Sequence, residues 1–323
     1  MFDFKVSGKK SRSQGETQQY DLIVVGGGAA GLTCAIYTSR DSIKTLVLEK
    51  EATGGLAALT GQIENYPGFP EGINGLDLME KFHQQAERFG ATIQEFEEVT
   101  EVEPVSKGLL RVHTTEAVYE TKLVLLATGS QPKQLHIPGE EEFAGRGVSY
   151  CATCDGPLFS GQDVIIIGAG NSGLQEGLSV LNYAQSVTFV EFLPHSPAEK
   201  ILQDRVMGHE KSAFYFNQQV LEIKGDTKVT GIVMQDRESG ELQELAANGV
   251  FIYVGYAPDT KFLQGLVDLN RWGYIESDAK LWTSVEGIMA AGDVRAANPA
   301  QVSIAVGDGA KAALAAREYL AAL

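Results

Sequence analysis

Cys151 and Cys154, in the sequence Cys-Ala-Thr-Cys-Asp, are the residues of this 323-residue chain best suited to do chemistry. Two intervening residues allow the two thiols to close a small disulfide ring. Reversible thiol–disulfide exchange needs a thiolate nucleophile and a nearby proton donor, and Asp155 follows Cys154 directly. The pattern predicts a redox-active disulfide with Cys151, Cys154 and Asp155 as its catalytic residues.

A zinc site is the alternative interpretation of closely spaced cysteines. Structural zinc normally takes four ligands. The third cysteine, Cys34, lies in a separate glycine-rich segment, and the five histidines form no paired motif. We therefore expect no metal site, and we expect Cys34 to be a small buried core residue.

A glycine-rich turn follows the first apolar run of the chain, residues 22–25. Its G-x-G-x-x-G pattern permits a tight turn and lets the backbone approach a pyrophosphate, while the following helix points its N-terminus at the phosphate charge. Glu49 ends the next apolar run, 23 residues after Gly26, at the spacing where an acid accepts hydrogen bonds from an adenosine ribose. The predicted dinucleotide-binding residues of this unit are Gly26, Gly28, Ala29, Ala30, Gly31 and Glu49.

A second copy of this unit occurs later in the chain. Gly168, Gly170 and Gly173 follow an apolar run, and Glu191 again comes 23 residues after the first glycine. Two dinucleotide-type sites suggest a flavin enzyme with a nicotinamide donor. The alternative for the second copy is a glycine turn that only packs.

Two further segments fit a bound flavin, FAD. Ala127, Thr128 and Gly129 end one apolar run, and Gly292 and Asp293 end another. An aspartate at the end of a strand can accept a hydrogen bond from a ribityl hydroxyl, although it can also cap a helix.

The order of apolar runs predicts an α/β fold with two Rossmann-like units, the second inserted into the first. The runs at 123–127 and 250–254 both end in Gly and Pro, where chain crossings are natural. We therefore predict an FAD domain from residues 20–132 and 262–323, and an inserted NAD(P)-like domain at 133–261 that carries the disulfide. Residues 1–19 are predicted to be a flexible arm, and Gly309 to Leu323 a closing helix.

Charge and hydropathy exclude some functions. Lys and Arg number 26 against 42 Asp and Glu, so the net charge is −16 and a nucleic-acid partner is not expected. The residues before Tyr20 lack the apolar core of a secretory signal, and the apolar stretch 22–39 contains four glycines, which argues against a membrane span. Few cysteines, two of them closely spaced, favour a reducing compartment, and we predict a cytoplasmic location.

From Tyr20 onward the sequence resembles the low-molecular-weight thioredoxin reductases. The resemblance rests on the segments 26–31, 54–55, 64–68, 127–129, 145–156 and 291–294. It implies a homodimer that binds FAD and reduces thioredoxin, and it adds Gly55, Asn65 and Gln301 to the cofactor-binding residues. Carried over by position, Cys154 faces the flavin, Cys151 attacks thioredoxin and Asp155 is the general acid.

One segment departs from that family. Where the family has a His-Arg-Arg stretch that holds the 2′-phosphate of NADPH, this chain has Glu191-Phe192-Leu193-Pro194-His195, without an arginine. Because Glu191 would repel a 2′-phosphate, NADPH is not expected as the donor. The loss resembles the deeply rooted and ferredoxin-dependent flavin thioredoxin reductases, and a ferredoxin-type or unknown donor is favoured.

Two other functions stay open. From the residues alone, the complete second glycine motif with Glu191 favours an NADH-dependent protein-disulfide reductase. A carboxylate can accept a hydrogen bond from the free ribose 2′-hydroxyl of NADH. The protein could also be a flavin-bearing redox sensor without rapid turnover.

Overall fold

The computed structural model describes residues 17–296 and 298–323. The predicted arm therefore lies outside the described residues as far as residue 16. Its last two residues, Gln18 and Gln19, were misplaced, because the first strand already begins at Gln18. They pair with Tyr119 and Glu120 of a neighbouring strand, and these main-chain hydrogen bonds extend the first strand beyond its apolar run, residues 22–25.

The first sheet has seven strands, and its parallel part has the spatial order β3-β2-β1-β6, with β17 pairing parallel to β6. β4 and β5 continue the sheet antiparallel from β6. The apolar run of β1 is buried on both faces, as expected for a central parallel strand. The strands are β1 (Gln18–Val25), β2 (Thr45–Leu48), β3 (Thr92–Gln94), β4 (Val99–Ser106), β5 (Leu109–Thr114), β6 (Val118–Leu126) and β17 (Ile288–Ala290).

Four helices belong to this sheet: α1 (Ala29–Arg40), α2 (Gly55–Ala58), α3 (Gly75–Arg88) and α7 (Val302–Ala322). α1, α3 and α7 share one hydrophobic core with β1 and β6. The closing helix is confirmed, but it begins at Val302, seven residues earlier than predicted. Small residues let α7 approach α1 closely: a Cβ on Gly309 would lie 2.2 Å from the Ala30 carbonyl oxygen.

The second sheet repeats the order of the first, as β11-β10-β9-β15-β8, all parallel. A separate antiparallel sheet of β12, β13 and β14 packs against it. The strands are β8 (Val148–Ser149), β9 (Asp163–Ile167), β10 (Ser186–Val190), β11 (Ser212–Tyr215), β12 (Gln218–Gly225), β13 (Val229–Asp236), β14 (Leu242–Ala246) and β15 (Gly249–Ile252). The helices are α4 (Ala152–Asp155), α5 (Asn171–Leu181) and α6 (Lys200–Met207).

Two short strands connect the sheets. β7 (Ser130–Pro132) leads out of the first sheet and β16 (Tyr256–Pro258) leads back, and they pair antiparallel. Every strand of the second sheet lies between them in the chain. The predicted fold class, two Rossmann-like units with the second inserted into the first, is confirmed, while the boundaries after residues 132 and 261 stay predictions. Within the described residues, no helix is long and apolar enough to span a membrane.

Candidate active site

The two motif cysteines form a disulfide at the start of α4. The sulfur atoms are 2.09 Å apart and the Cα atoms 5.3 Å apart. Cys151 precedes the helix, and its Sγ accepts a hydrogen bond from the Cys154 amide at 3.2 Å. Cys151 is half-buried and Cys154 is exposed. Since a backbone amide favours the charged form of a thiol, this geometry suits Cys151 as a thiolate after reduction.

Side chains on both sides hold α4, here called the redox helix, in place. Ser149 accepts from the Cys151 amide at 3.0 Å and donates to Asp155 Oδ2 at 2.6 Å, which fixes the carboxylate beside the disulfide. The hydroxyl of Tyr253, beyond the end of β15, accepts from the Ala152 amide at 2.8 Å. Burial raises the pKa of Tyr253, so this hydroxyl stays neutral. Neither Ser149 nor Tyr253 was predicted from the sequence.

The third cysteine lies away from this pair. Cys34 is fully buried in α1, as predicted, and burial raises its thiol pKa far above the ordinary value, so it is not a nucleophile. In the described part of the chain, no group of three or more His, Cys, Asp or Glu side chains is placed to hold a metal ion.

The first glycine turn is built by contacts that a side chain would block. A Cβ on Gly26 would lie 2.3 Å from the Ala127 carbonyl oxygen, and one on Gly31 would lie 2.0 Å from the Gly26 oxygen. Gly28, the residue before α1, has no atom within 4 Å of the Cβ position, so open space faces the helix N-terminus. Ala29 and Ala30 form the buried first turn of α1. The predicted turn therefore has the cradle form that a pyrophosphate requires.

Glu49 stands beside this cradle at the end of β2. Its Oε2 accepts from the Gly27 amide at 2.7 Å and its Oε1 accepts from the Glu51 amide at 3.0 Å. A carboxylate has about four acceptor positions, so Glu49 retains positions for ribose hydroxyls.

The remaining predicted cofactor residues lie around the same end of the first sheet. Asn65 Nδ2 donates to Gln301 Oε1 at 3.1 Å, which joins two predicted residues that are far apart in the sequence. The hydroxyl of Thr128 donates to the Asp259 carbonyl oxygen at 2.9 Å and so links the outgoing and returning connections between the sheets, and its part in FAD binding stays a prediction. Gly55 and Gly129 both adopt positive φ, and a Cβ on Gly129 would meet nothing within 4 Å.

Asp293 gives the most direct evidence that the site fits a flavin. Its Oδ1 is buried without a hydrogen-bond partner among the described residues. Burial, with the charge of Asp308, raises its pKa to about 6. Asp308 meanwhile accepts from the Gly292 amide at 3.1 Å and from Arg295 at 2.8 Å. An unpaired buried acceptor is costly, and a ribityl hydroxyl would satisfy it. The residues present therefore fit FAD.

The second glycine turn repeats the first in detail. A Cβ on Gly168 would lie 2.2 Å from the Tyr253 carbonyl oxygen, and one on Gly173 would lie 2.0 Å from the Gly168 oxygen. Glu191 copies Glu49, since its Oε2 accepts from the Ala169 amide at 2.6 Å and its Oε1 from the Leu193 amide at 2.9 Å.

This second turn opens on a cavity of about 620 Å³. Among the described residues that line it, Glu191 is the only charged side chain. Phe192 and Leu193 form part of the wall and are half-exposed, so they leave the cavity open. The guanidinium of Arg237 stacks 3.6 Å above the Phe192 ring and donates to the Phe192 carbonyl oxygen at 3.0 Å. The sequence did not predict this contact, because Arg237 lies 45 residues away, in the turn that follows β13.

The inserted unit also lies against the first unit close to the disulfide. A Cβ on Gly61 would lie 3.1 Å from Ser179 Oγ on α5 and 3.6 Å from Thr153 Oγ1 on α4. Arg205 of α6 donates to both carboxylate oxygens of Glu64, at 2.9 and 2.7 Å.

Comparison with known proteins gives the class. Residues 20–309 match the family described as pyridine nucleotide-disulphide oxidoreductase. The chain belongs to this family, and within it to the low-molecular-weight thioredoxin reductases. It is an FAD-binding flavoprotein disulfide oxidoreductase.

Particular relatives cover nearly the whole chain. A thioredoxin reductase of Treponema pallidum is 41% identical over 301 residues, 93% of this chain and 97% of that protein. The 34.2 kDa protein in the rubredoxin operon of Clostridium pasteurianum is 36% identical over 305 residues, 94% and 98% of the two chains.

Two solved structures superpose differently on the chain. Lactococcus lactis thioredoxin reductase in the FR conformation matches with a TM-score of 0.91 at 39% identity, covering 94% of this chain and 100% of that one. The Streptococcus pyogenes enzyme matches with a TM-score of only 0.63 at 36% identity, covering 95% and 100%.

Proposed function

We propose that this protein is an FAD-dependent thioredoxin-disulfide reductase that passes electrons through the Cys151–Cys154 disulfide. The observation that carries the proposal is a disulfide whose Cys154 is exposed, on a helix of the second dinucleotide-type unit whose Thr153 faces Gly61 of the first. FAD, when bound, supplies the electron pair that opens this disulfide. By resemblance, Cys154 is the flavin-side thiol, Cys151 attacks the partner disulfide and Asp155 holds the proton.

The chain's own residues prepare this exchange. The Cys154 amide stabilises a thiolate on Cys151, which is the nucleophile toward the partner disulfide. Ser149 keeps the Asp155 carboxyl beside the pair, where it can hold a proton for the leaving sulfur. Tyr253 fixes the first amide of α4, so the two sulfurs keep their relative positions when the bond opens.

The inserted unit is proposed to change its orientation during turnover. In this structure Thr153 and Ser179 pack toward Gly61, while Cys154 is exposed to solvent. Two relatives of similar identity superpose with very different TM-scores, which supports a second arrangement of the two units. The paired strands β7 and β16 are the natural hinge, because both connections run through them.

For the electron donor we propose a small iron–sulfur protein of the ferredoxin type rather than NADPH. The cavity at the second glycine turn offers no cation for a 2′-phosphate among its described lining residues, and Glu191 would repel one. The Clostridium pasteurianum relative is described as lying in a rubredoxin operon, which associates that protein with an iron-containing carrier.

NADH is the second candidate donor, and one observation favours it. The cavity is open, and Glu191 is held in the same two-amide geometry as Glu49, so a dinucleotide with a free ribose 2′-hydroxyl fits the site. The remaining alternative, a redox sensor, would show no sustained turnover with a protein disulfide. A homodimer in the cytoplasm stays part of the proposal, as the family resemblance and the cysteine content predict.

Anaerobic titration of the flavoprotein with NADPH, NADH and photoreduced ferredoxin tests the donor. We expect flavin bleaching with ferredoxin and none with NADPH. The variant Gly170→Ala tests the second glycine turn. A Cβ there would meet only Pro197 Cγ, at 4.0 Å, and would project into the cavity at that turn. If ferredoxin is the donor, bleaching by ferredoxin is the same in the variant. Bleaching by NADH that Gly170→Ala abolishes would instead make the second turn the working donor site.

A further inference from the structure

Glu176 is a buried carboxyl that the mechanism above leaves unused. It lies on α5 with 9% of its surface exposed. Its Oε2 accepts a long hydrogen bond, 3.5 Å, from Thr153 Oγ1. Thr153 is the residue of the redox helix directly before Cys154. Within the described residues Glu176 has no ion-pair partner and no other side-chain hydrogen bond.

The surroundings of Glu176 are acidic or neutral. Burial raises its pKa to about 7, and the Thr153 hydrogen bond offsets this only in part. The titratable groups around it include Tyr253 and Tyr256, whose pKa values are raised first by burial and further by the charge of Glu176. Asp155 on the redox helix raises the pKa of Tyr253, and Asp293 at the flavin site raises that of Tyr256. Burial is the main cause of the Glu176 shift, and no cation among the described residues offsets it, so a further negative charge beside this carboxyl is unfavourable.

We propose that Glu176 is a positioning residue that takes up a proton when the Cys151–Cys154 disulfide is reduced and thereby stabilises the thiolate of the pair. This inference rests on the proposed function of the disulfide. Glu176 acts across Thr153, because the hydroxyl of that residue is the one side-chain donor to it among the described residues and belongs to the helix that begins at the disulfide.

The step balances in charge and atoms. Two electrons break the S–S bond, one solvent proton forms an S–H bond on one cysteine, and a second solvent proton forms an O–H bond on the Glu176 carboxylate. The products are a thiol, a thiolate and a neutral carboxyl, so the local charge is the same before and after. Without Glu176 protonation, a thiolate on the redox helix and the buried carboxylate that contacts this helix through Thr153 would both be negative, and burial of the carboxylate strengthens their repulsion.

The test is the pH profile of thiol alkylation. Holoenzyme is reduced with dithiothreitol, freed of reductant without oxygen, and treated with iodoacetamide between pH 5.5 and 9, with the modified cysteine identified by mass spectrometry. Glu176→Gln keeps the shape and removes the charge, so we expect the apparent thiol pKa to fall by about one unit, which gives about tenfold faster alkylation well below that pKa. Glu238→Gln, an exposed site in the same unit, makes the same charge change and should leave the profile in place.

A second variant guards against misfolding of the first. Thr153→Val removes the hydroxyl that favours the Glu176 carboxylate, so the carboxyl stays neutral to higher pH and the thiol profile moves in the same direction as in Glu176→Gln. Proton uptake on reduction at pH 7.5, followed with an indicator dye, should be smaller in Glu176→Gln than in the wild type. Superimposable profiles and equal proton uptake would overturn the proposal. Neither readout uses thioredoxin or a donor, so loss of turnover with intact profiles would count against the proposed function alone.

Discussion

Replacing Gly28 by alanine should separate cofactor binding from folding at the first glycine turn. The Cβ position of Gly28 has no atom of the chain within 4 Å, and its φ of −79° and ψ of −171° are accessible to alanine. The flavin-free variant should therefore keep its stability within about 0.5 kcal/mol of the wild type. The same open space is where a pyrophosphate approaches the N-terminus of α1.

The loss of FAD affinity can be estimated from the hydrogen bonds at stake. A methyl group in front of the helix forces the phosphate away from at least one backbone donor, and a hydrogen bond to a charged group contributes about 1.5–3 kcal/mol. FAD should therefore bind about 10- to 150-fold more weakly. The assay is fluorescence titration of flavin-stripped protein with FAD, with thermal unfolding of the flavin-free protein measured alongside.

Gly31→Ala is the matched control, because its methyl group would clash with the protein backbone and not with the bound FAD. Its Cβ would lie 2.0 Å from the Gly26 carbonyl oxygen and 3.0 Å from Val24 Cγ1, and a backbone oxygen cannot move away cheaply. This variant should lose more than about 2 kcal/mol of stability without ligand. FAD binding by Gly28→Ala within threefold of the wild type would refute the cradle as the pyrophosphate site.

Three further outcomes are expected. Asp293→Asn should stabilise the flavin-free protein at pH 8 by about 1–3 kcal/mol. The pKa of Asp293 in the folded protein is about 6, above the ordinary 3.8, so the free energy of unfolding falls as the pH rises from about 4 to about 6. Urea unfolding at pH 4, 6 and 8 should show that fall in the wild type and a smaller one in the variant. Cys151→Ser should keep FAD and lose at least about 1,000-fold in thioredoxin turnover, measured with excess donor, and retained turnover would remove Cys151 from its role. Gly61→Cys combined with Ser179→Cys should lock the present orientation when oxidised, leaving flavin reduction intact and stopping turnover until the lock is reduced; unimpaired turnover of the locked form would contradict a rotation of the inserted unit.

The local parts of the site could be predicted from the sequence. The strand, glycine turn and acid follow one another at fixed spacing, and the structure confirms this geometry in both copies, with Glu49 and Glu191 each held by two backbone amides. The fold class followed from the same repeated unit. The predicted start of the closing helix was wrong, because α7 extends to Val302 through contacts with another helix that no local pattern displays.

The parts that could not be predicted depend on long-range packing. Tyr253 meets the redox helix across about a hundred residues, and nothing in its apolar strand marks it as a partner of Ala152. The sequence places Glu176 at an ordinary polar position of an amphipathic helix, and only the packing of α4 against α5 buries it. The openness of the cavity at the second glycine turn depends in the same way on where Phe192 points. Phe192 stacks on Arg237, which lies in the turn after β13, far away in the sequence.

The central claim is that electrons reach thioredoxin from the flavin through the Cys151–Cys154 disulfide. The most direct test mixes photoreduced enzyme with oxidised thioredoxin without oxygen, and follows flavin reoxidation and thioredoxin thiols together in the wild type and in Cys154→Ser. Photoreduced wild-type enzyme holds two electrons on the flavin and two on the cysteine pair. We therefore expect two thioredoxin disulfides to be reduced per flavin as the wild-type flavin regains its yellow colour, while the flavin of the variant stays bleached. Equal reduction of thioredoxin by both proteins would contradict it.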